Sequence, residues 1–389
     1  RKTRRNPVGA FKALVPGTWW PVVGGLGVFT GFAILAFYSV VAGWTIGYLY
    51  KAATGAFGVA IAADQSNSVF LGLVGDGAYS ILLTGIFMLM TILIVRGGVS
   101  DGIERATKIL MPLLFGILLL LAIRALTLPG GMQGLEYLFR PDFSKVNIGV
   151  VMSALGQALF SLSLGMGAMI TYGSYFPADE NLSFAGASVA LFDTLIAVLA
   201  GLIIFPALFY AGVDPGAGPG LVFVVLPTIF HTLPAGGTLF AVAFYALLAI
   251  AALTSTISLL EVVVSYFIDE RKWSRNRASW IIGGACFLFA IPSALSQGAS
   301  DLFSSLPEIG IDWLTLQNNI WGNYSLSVGA MLTCIFVAWK WGIPKALESL
   351  EEGGHPVPLG NVWGFLIRYV CPLAMILILV YIVVTGQYF

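Results

Sequence analysis

Charge is what this 389-residue sequence has least of. Only 10% of its residues are Asp, Glu, Lys or Arg, where a soluble domain carries roughly 25%. Nineteen basic residues balance nineteen acidic ones, so no net field draws the chain to nucleic acid or an acidic substrate. Histidine is nearly absent, with His231 and His355 alone. There is no HExxH and no phosphate-binding glycine loop, which removes the common metalloprotease and nucleotide chemistries. The three cysteines, Cys286, Cys334 and Cys371, lie far apart in apolar runs with no CxxC pair. They read as small buried apolar residues rather than disulfide, zinc or redox groups.

What is present is apolar. Hydrophobic residues make up 58% of the chain and glycine supplies 46 positions, with a mean hydropathy of +0.91. That composition excludes a soluble enzyme and a disordered chain and describes a polytopic membrane protein. Crossing about 30 Å of hydrocarbon needs roughly 20 apolar residues. Nine runs qualify, at residues 19–53, 78–98, 106–128, 148–176, 183–212, 238–268, 276–296, 318–343 and 361–387. They are helices, because lipid offers backbone groups no partner outside a helix or a closed barrel. Nine crossings put the termini on opposite sides. With the N-terminus inside, fifteen Lys and Arg fall on the cytoplasmic side and only Lys51, Arg124, Arg140 and Lys145 outside; the positive-inside rule therefore places the C-terminus outside. Residues 213–237, rich in Gly and Pro and then apolar over a stretch too short to span, suit a re-entrant or capping loop.

Polar groups within such runs are costly and mark function. Residues 156–167 (GQALFSLSLGMG) place glycines and serines at mid-span. That pattern fits a broken helix whose freed backbone lines a site, or a close helix–helix contact. Asp193 stands alone about ten residues into its run, with no Lys or Arg in that run to pair with. Such a carboxylate binds a cation, relays a proton or pairs with a base on another helix. Residues 251–258 (AALTSTIS) gather hydroxyls at mid-span. These can ligate a hard cation through oxygen or simply bond back to the carbonyl one turn earlier. Glu261 shares a helix face with Ser258 and is either a structural acceptor or part of a proton path.

These stretches together resemble the neurotransmitter:sodium symporters, in particular their bacterial amino-acid transporters. The resemblance runs through residues 6–11 (NPVGAF), 37–44 (FYSVVAGW), 161–167 (SLSLGMG), 215–223 (PGAGPGLVF), 253–261 (LTSTISLLE) and 269–275 (DER, then WSR after Lys272), and it extends over essentially the whole chain. It implies an all-α, leucine-transporter-like bundle of two inverted repeats. Residues 1–147 would be the remainder of the first repeat, helices three to five. Residues 148–343 would form the second, broken at 161–167, and residues 344–389 a cytoplasmic loop and final helix. On this register the basic start, Arg1 to Arg5, reads as the loop between the family's second and third helices, with the first two missing from the sequence.

The resemblance also implies a site. Tyr38 would close over a substrate carboxylate, with Ile34 one turn earlier lining the same pocket. Phe160 would be the aromatic lid, Ser163 would lie where backbone meets the substrate amine, and Met166 and Leu259 would be pocket walls. Ser161 and Asp193 would ligate a first Na⁺; Ala251 through its carbonyl, Thr254 and Ser255 would ligate a second. Aspartate at 193, where the family usually has asparagine, would supply the negative charge that eukaryotic members take from chloride, making chloride unnecessary. The outer-gate acid position falls near Asn318, with Asp312 the nearest acid.

The expected function is sodium-coupled import of a neutral, hydrophobic or aromatic amino acid by alternating access, with no enzyme activity. The partners are that amino acid, Na⁺, the lipid bilayer of a bacterial inner membrane and a second copy in a homodimer, but no nucleic acid. The competing reading is a non-transporting membrane protein of the same fold, which the sequence upstream of Arg1 discriminates. An intramembrane hydrolase is weaker still: its only acid pair, Asp193 and Glu261, is brought together by no spacing.

Overall fold

The computed structural model of the chain describes all residues except 58–61, 213–219, 232–236 and 389. Among the described residues the regular structure is helical throughout. The principal helices are α1 (Pro21–Ala53), α2 (Gly77–Val95), α3 (Val99–Leu126), α4 (Ile148–Ser161), α5 (Ala168–Tyr175), α6 (Leu182–Ala211), α7 (Gly237–Arg271), α8 (Arg275–Leu295), α9 (Trp313–Glu351) and α10 (Gly360–Thr385).

Eight of these are long and apolar enough to cross a membrane, and they coincide with eight of the nine expected runs. The ninth run, 148–176, is two short helices, α4 and α5, separated by residues 162–167. Local polar residues set several starts. The side chains of Asn147, Asn181 and Asp312 accept hydrogen bonds from the amides of Val150, Phe184 and Thr315 at 3.0–3.1 Å. Each satisfies an otherwise orphaned donor at the head of α4, α6 or α9.

α1 is the central post, packed against α7, α2 and α8. Small residues let the backbones close in: a Cβ at Gly43 would sit 2.9 Å from the Leu83 carbonyl carbon on α2, the kind of approach that substitutes for a hydrophobic driving force between helices in lipid. Widened π turns interrupt α9 at Asn318–Ser325 and Phe336–Gly342, and such insertions frequently accompany functional sites.

Of the expected capping loop, residues 213–219 and 232–236 lie outside the described residues. The part between folds as a π turn, Leu221–Val225, and a short helix, Leu226–Phe230. Three hydroxyls hold it. Tyr245 donates to the Val222 carbonyl (2.9 Å), Tyr48 to Phe223 (2.7 Å) and Ser66 to Val224 (2.6 Å). Three consecutive carbonyls freed by the wide turn are thus capped from three different helices, and Tyr48 and Tyr245 stand among the rings of Phe57, Phe223 and Phe230.

The structure corrects one sequence expectation about the cysteines. Cys286 is a buried filler, its thiol donating to the Phe32 carbonyl at 3.3 Å. Cys334 and Cys371 are only half-buried and line one cavity, because α9 and α10 pack side by side.

Candidate functional site

The break between α4 and α5 is built by left-handed backbone at alternate positions, with φ of 54° at Ser163, 82° at Gly165 and 79° at Gly167. Glycine adopts that region without strain and serine does not, so surrounding structure must hold the segment. Gly165 is pressed against α9, where a Cβ would meet the Leu326 carbonyl oxygen at 2.2 Å. From the other side α1 presents Gly31, whose Cβ position is 3.5 Å from the Met166 carbonyl and 3.9 Å from that of Leu259. The break, α1 and α7 therefore converge. Among the described residues, no backbone hydrogen bond around the break is accepted by the carbonyls of residues 161–166. The Gly165 oxygen faces α9, 2.4 Å from the Cβ position of Gly329, and the Met166 oxygen faces α1 at Gly31.

Ser161 ends α4, and its hydroxyl donates to Asp193 Oδ1 on α6 at 2.5 Å. The two residues assigned to one cation site are thus in contact, and the base that would make Asp193 a structural ion pair is absent from the contacts described. Asp193 is bonded to a hydroxyl, and Glu261 is engaged elsewhere, so the two acids do not pair with each other.

On α7 the oxygens of 251–255 share one turn. Thr254 and Ser255 both donate to the Ala251 carbonyl, at 2.8 and 3.2 Å. Back-bonding and cation ligation use the same three oxygens here; a cation would turn the hydroxyl lone pairs outward. Tyr38 is half-buried on α1 and packs on the same core as Ala251. Ile34, Met166 and Leu259 are 1%, 2% and 6% exposed, with Tyr38 and Phe160 packed on the same core. Ser163 lies apart, facing a cavity of about 270 Å³ on the other side of the break.

Asp312 does not reach this site. Its Oδ1 accepts from Gln297, Ser296 and the Thr315 amide, and its Oδ2 from the Thr315 hydroxyl. It caps α9. Asn318 is closer to the lid, since its Oδ1 and the Phe160 ring both border Gly322, at 2.8 and 3.8 Å from a Cβ position there.

Sequence reading left Glu261 open and missed its partner. Its carboxylate is fully buried and accepts from Arg275 at 2.6 and 2.9 Å and from the Tyr175 hydroxyl at 2.5 Å, while Tyr172 donates to Ser258 at 3.2 Å. Glu261 is a structural acceptor tying α5, α7 and α8 together. Fourteen positions separate it from Arg275 across a helix boundary, so no periodicity announces the pair.

The chain as a whole has relatives among known proteins. The profile of the sodium:neurotransmitter symporter family matches residues 67–388. The chain belongs to that family. It is 35% identical to an uncharacterized sodium-dependent transporter of Bacillus subtilis, YhdH, over 97% of this chain and 83% of the relative. It is 34% identical to an uncharacterized sodium-dependent transporter of Haemophilus influenzae, over 98% and 84%. Among solved structures, the crystal structure of MhsT in complex with L-phenylalanine matches with a TM-score of 0.88 and 41% identity, covering 98% of this chain and 85% of that one. The fold is accordingly the leucine-transporter-like membrane bundle. The protein is a multi-pass, sodium-dependent secondary transporter of a small-molecule substrate, with amino-acid transport as its class, and not an enzyme.

Proposed function

We propose that this symporter carries a neutral amino acid with a hydrophobic or aromatic side chain, driven by Na⁺. The reading rests on one observation above others: the residues expected as walls, Ile34, Met166 and Leu259, are apolar and buried, which suits an uncharged side chain. A neighbour at 41% identity was crystallised with L-phenylalanine, a ligand of this class. Tyr38 would donate to the carboxylate and the freed backbone near Ser163 would accept from the amine, with Phe160 closing over the pocket. Met166 is flexible enough to admit side chains of different size.

Two sodium ions would be co-substrates. Ser161, Asp193 and the freed carbonyls offer one all-oxygen set; Ala251, Thr254 and Ser255 offer another, as a hard cation requires. Because Na⁺ and substrate meet at the same break, each favours the occluded state the other needs, which is the basis of coupling. The negative charge of Asp193 beside the first ion would take the role of chloride. Residues 1–147 and 148–343 would be the two repeats that rock about the site, in a bacterial inner membrane with the first residue inside and the last outside, as the charge distribution favours.

Uptake by reconstituted protein across an amino-acid panel tests this. Labelled leucine or tryptophan should enter only with Na⁺ and be displaced by apolar but not acidic or basic amino acids. Gluconate should replace chloride without loss. The double variant Thr254→Ala with Ser255→Ala should abolish sodium dependence. Competition by charged amino acids, or a strict chloride requirement, would refute the corresponding part.

A further inference from the structure

We propose that Cys334 and Cys371 form a reversible dithiol–disulfide site that joins α9 to α10 and reacts with small-molecule disulfides. The facing of the two helices is the first argument. Ala330 precedes Cys334 by one turn and Met375 follows Cys371 by one turn, so each shares its cysteine's helix face. Ala330 and Met375 are buried in one cluster with Ile378. The cysteine-bearing faces are therefore opposed, and both cysteines line one cavity between the helices.

Access is the second argument. Both thiols are half-buried and line the cavity of about 270 Å³ that also reaches Ser163 and Gly165. A small reagent entering there finds two sulfurs together. Cys286, fully buried and donating to a backbone carbonyl, has no such opening and no second thiol.

The third is a nearby cation. Arg368 lies three positions before Cys371, on the same face, with its guanidinium 5.9 Å from the centre of the Trp339 ring on α9. That contact holds α10 to α9 beside the sulfurs.

The chemistry balances with a disulfide of the glutathione type as oxidant. The Cys371 thiolate attacks one sulfur of the reagent; the S–S bond breaks and one reagent thiolate leaves. Cys334, after losing its proton to solvent, attacks the Cys371 sulfur of the mixed disulfide and expels the second reagent thiolate, which takes up a proton. Two protein thiols are oxidised and one reagent disulfide is reduced to two thiols. Both cysteines lie toward the end of the bundle that carries Lys340, Lys345 and Arg368, the end proposed to face a reducing cytoplasm, so the bond would be transient rather than structural.

Purified wild-type protein treated with oxidised glutathione, then alkylated and mapped by mass spectrometry, tests the site without reference to transport. The expected result is one intramolecular link between the peptides containing Cys334 and Cys371, a loss of two hydrogens, and full reversal by dithiothreitol. Cys286 should alkylate only after denaturation. Cys334→Ser should trap a glutathione adduct on Cys371, because nothing remains to resolve it. Free alkylation of both thiols after oxidation, or a stable glutathione adduct on the wild type, would overturn the proposal.

Discussion

Ser161 and Asp193 are 32 positions apart and 2.5 Å from one another. One ends a helix at a break; the other sits mid-way along the helix that follows the break's second half. The contact brings a hydroxyl and a carboxylate together at the start of the break. Hydrogen bonds to a charged acceptor are worth about 1.5–3 kcal/mol. Replacing Asp193 with Ala should therefore weaken apparent Na⁺ affinity by roughly tenfold to a hundredfold. Asp193→Asn should restore part of it, and uptake should then become stimulated by chloride. Sodium titrations of uptake in chloride and in gluconate measure both effects.

Gly165 is the point where the break cannot tolerate a side chain. With φ of 82° and a Cβ that would meet the Leu326 carbonyl oxygen at 2.2 Å, Gly165→Ala introduces both strain and a backbone clash. Left-handed strain alone costs about 1–3 kcal/mol. The variant should lose thermal stability by more than Gly25→Ala, which meets no atom within 4 Å. Melting curves of the two proteins in the same detergent compare them directly.

The Glu261–Arg275 pair predicts a different pattern. The carboxylate is fully buried and the guanidinium one quarter exposed, so removing Arg275 strands a charge. Breaking such a pair typically costs about 3–5 kcal/mol. Arg275→Ala should be severely destabilised, and Arg275→Lys should recover little because it lacks the two-pronged fork. Adding Glu261→Gln to Arg275→Ala should recover part of the loss. A double-mutant cycle on melting temperature reads the coupling.

The capping segment offers a local test. Tyr48→Phe, Tyr245→Phe and Ser66→Ala each uncap one carbonyl of residues 222–224, at about 1 kcal/mol apiece. Hydrogen exchange in residues 221–230 should quicken by several-fold in each variant, while α1 and α7 stay protected. Unchanged exchange would mean the segment is held by its ring contacts alone.

Much of this architecture was legible in the residue order. The eight continuous spans follow from apolar run length, since lipid leaves a buried backbone no partner but its own helix. The break was legible as one of two readings, since the same glycines and serines also suit a close helix–helix contact, and the family resemblance favoured the break. So was the oxygen turn at Ala251, Thr254 and Ser255, whose spacing alone stacks them on one face. The loop capping at Tyr48 and Tyr245 was not, since a tyrosine in an apolar helix does not declare which distant carbonyl it will reach.

What the sequence determined by itself, then, was what depends on neighbours within a turn or on the length of an apolar run: membrane class, eight of the spans, and the weakened centre of the fourth run. Tertiary structure decided which polar groups meet. It joined Ser161 to Asp193 and Glu261 to Arg275 and Tyr175, set Cys334 and Cys371 on one cavity, and assigned Asp312 to a helix cap. The physical reason is that helical periodicity relates residues three and four apart, whereas partners on different helices are chosen by which faces pack, a choice made by the glycine contacts and buried rings of the whole bundle.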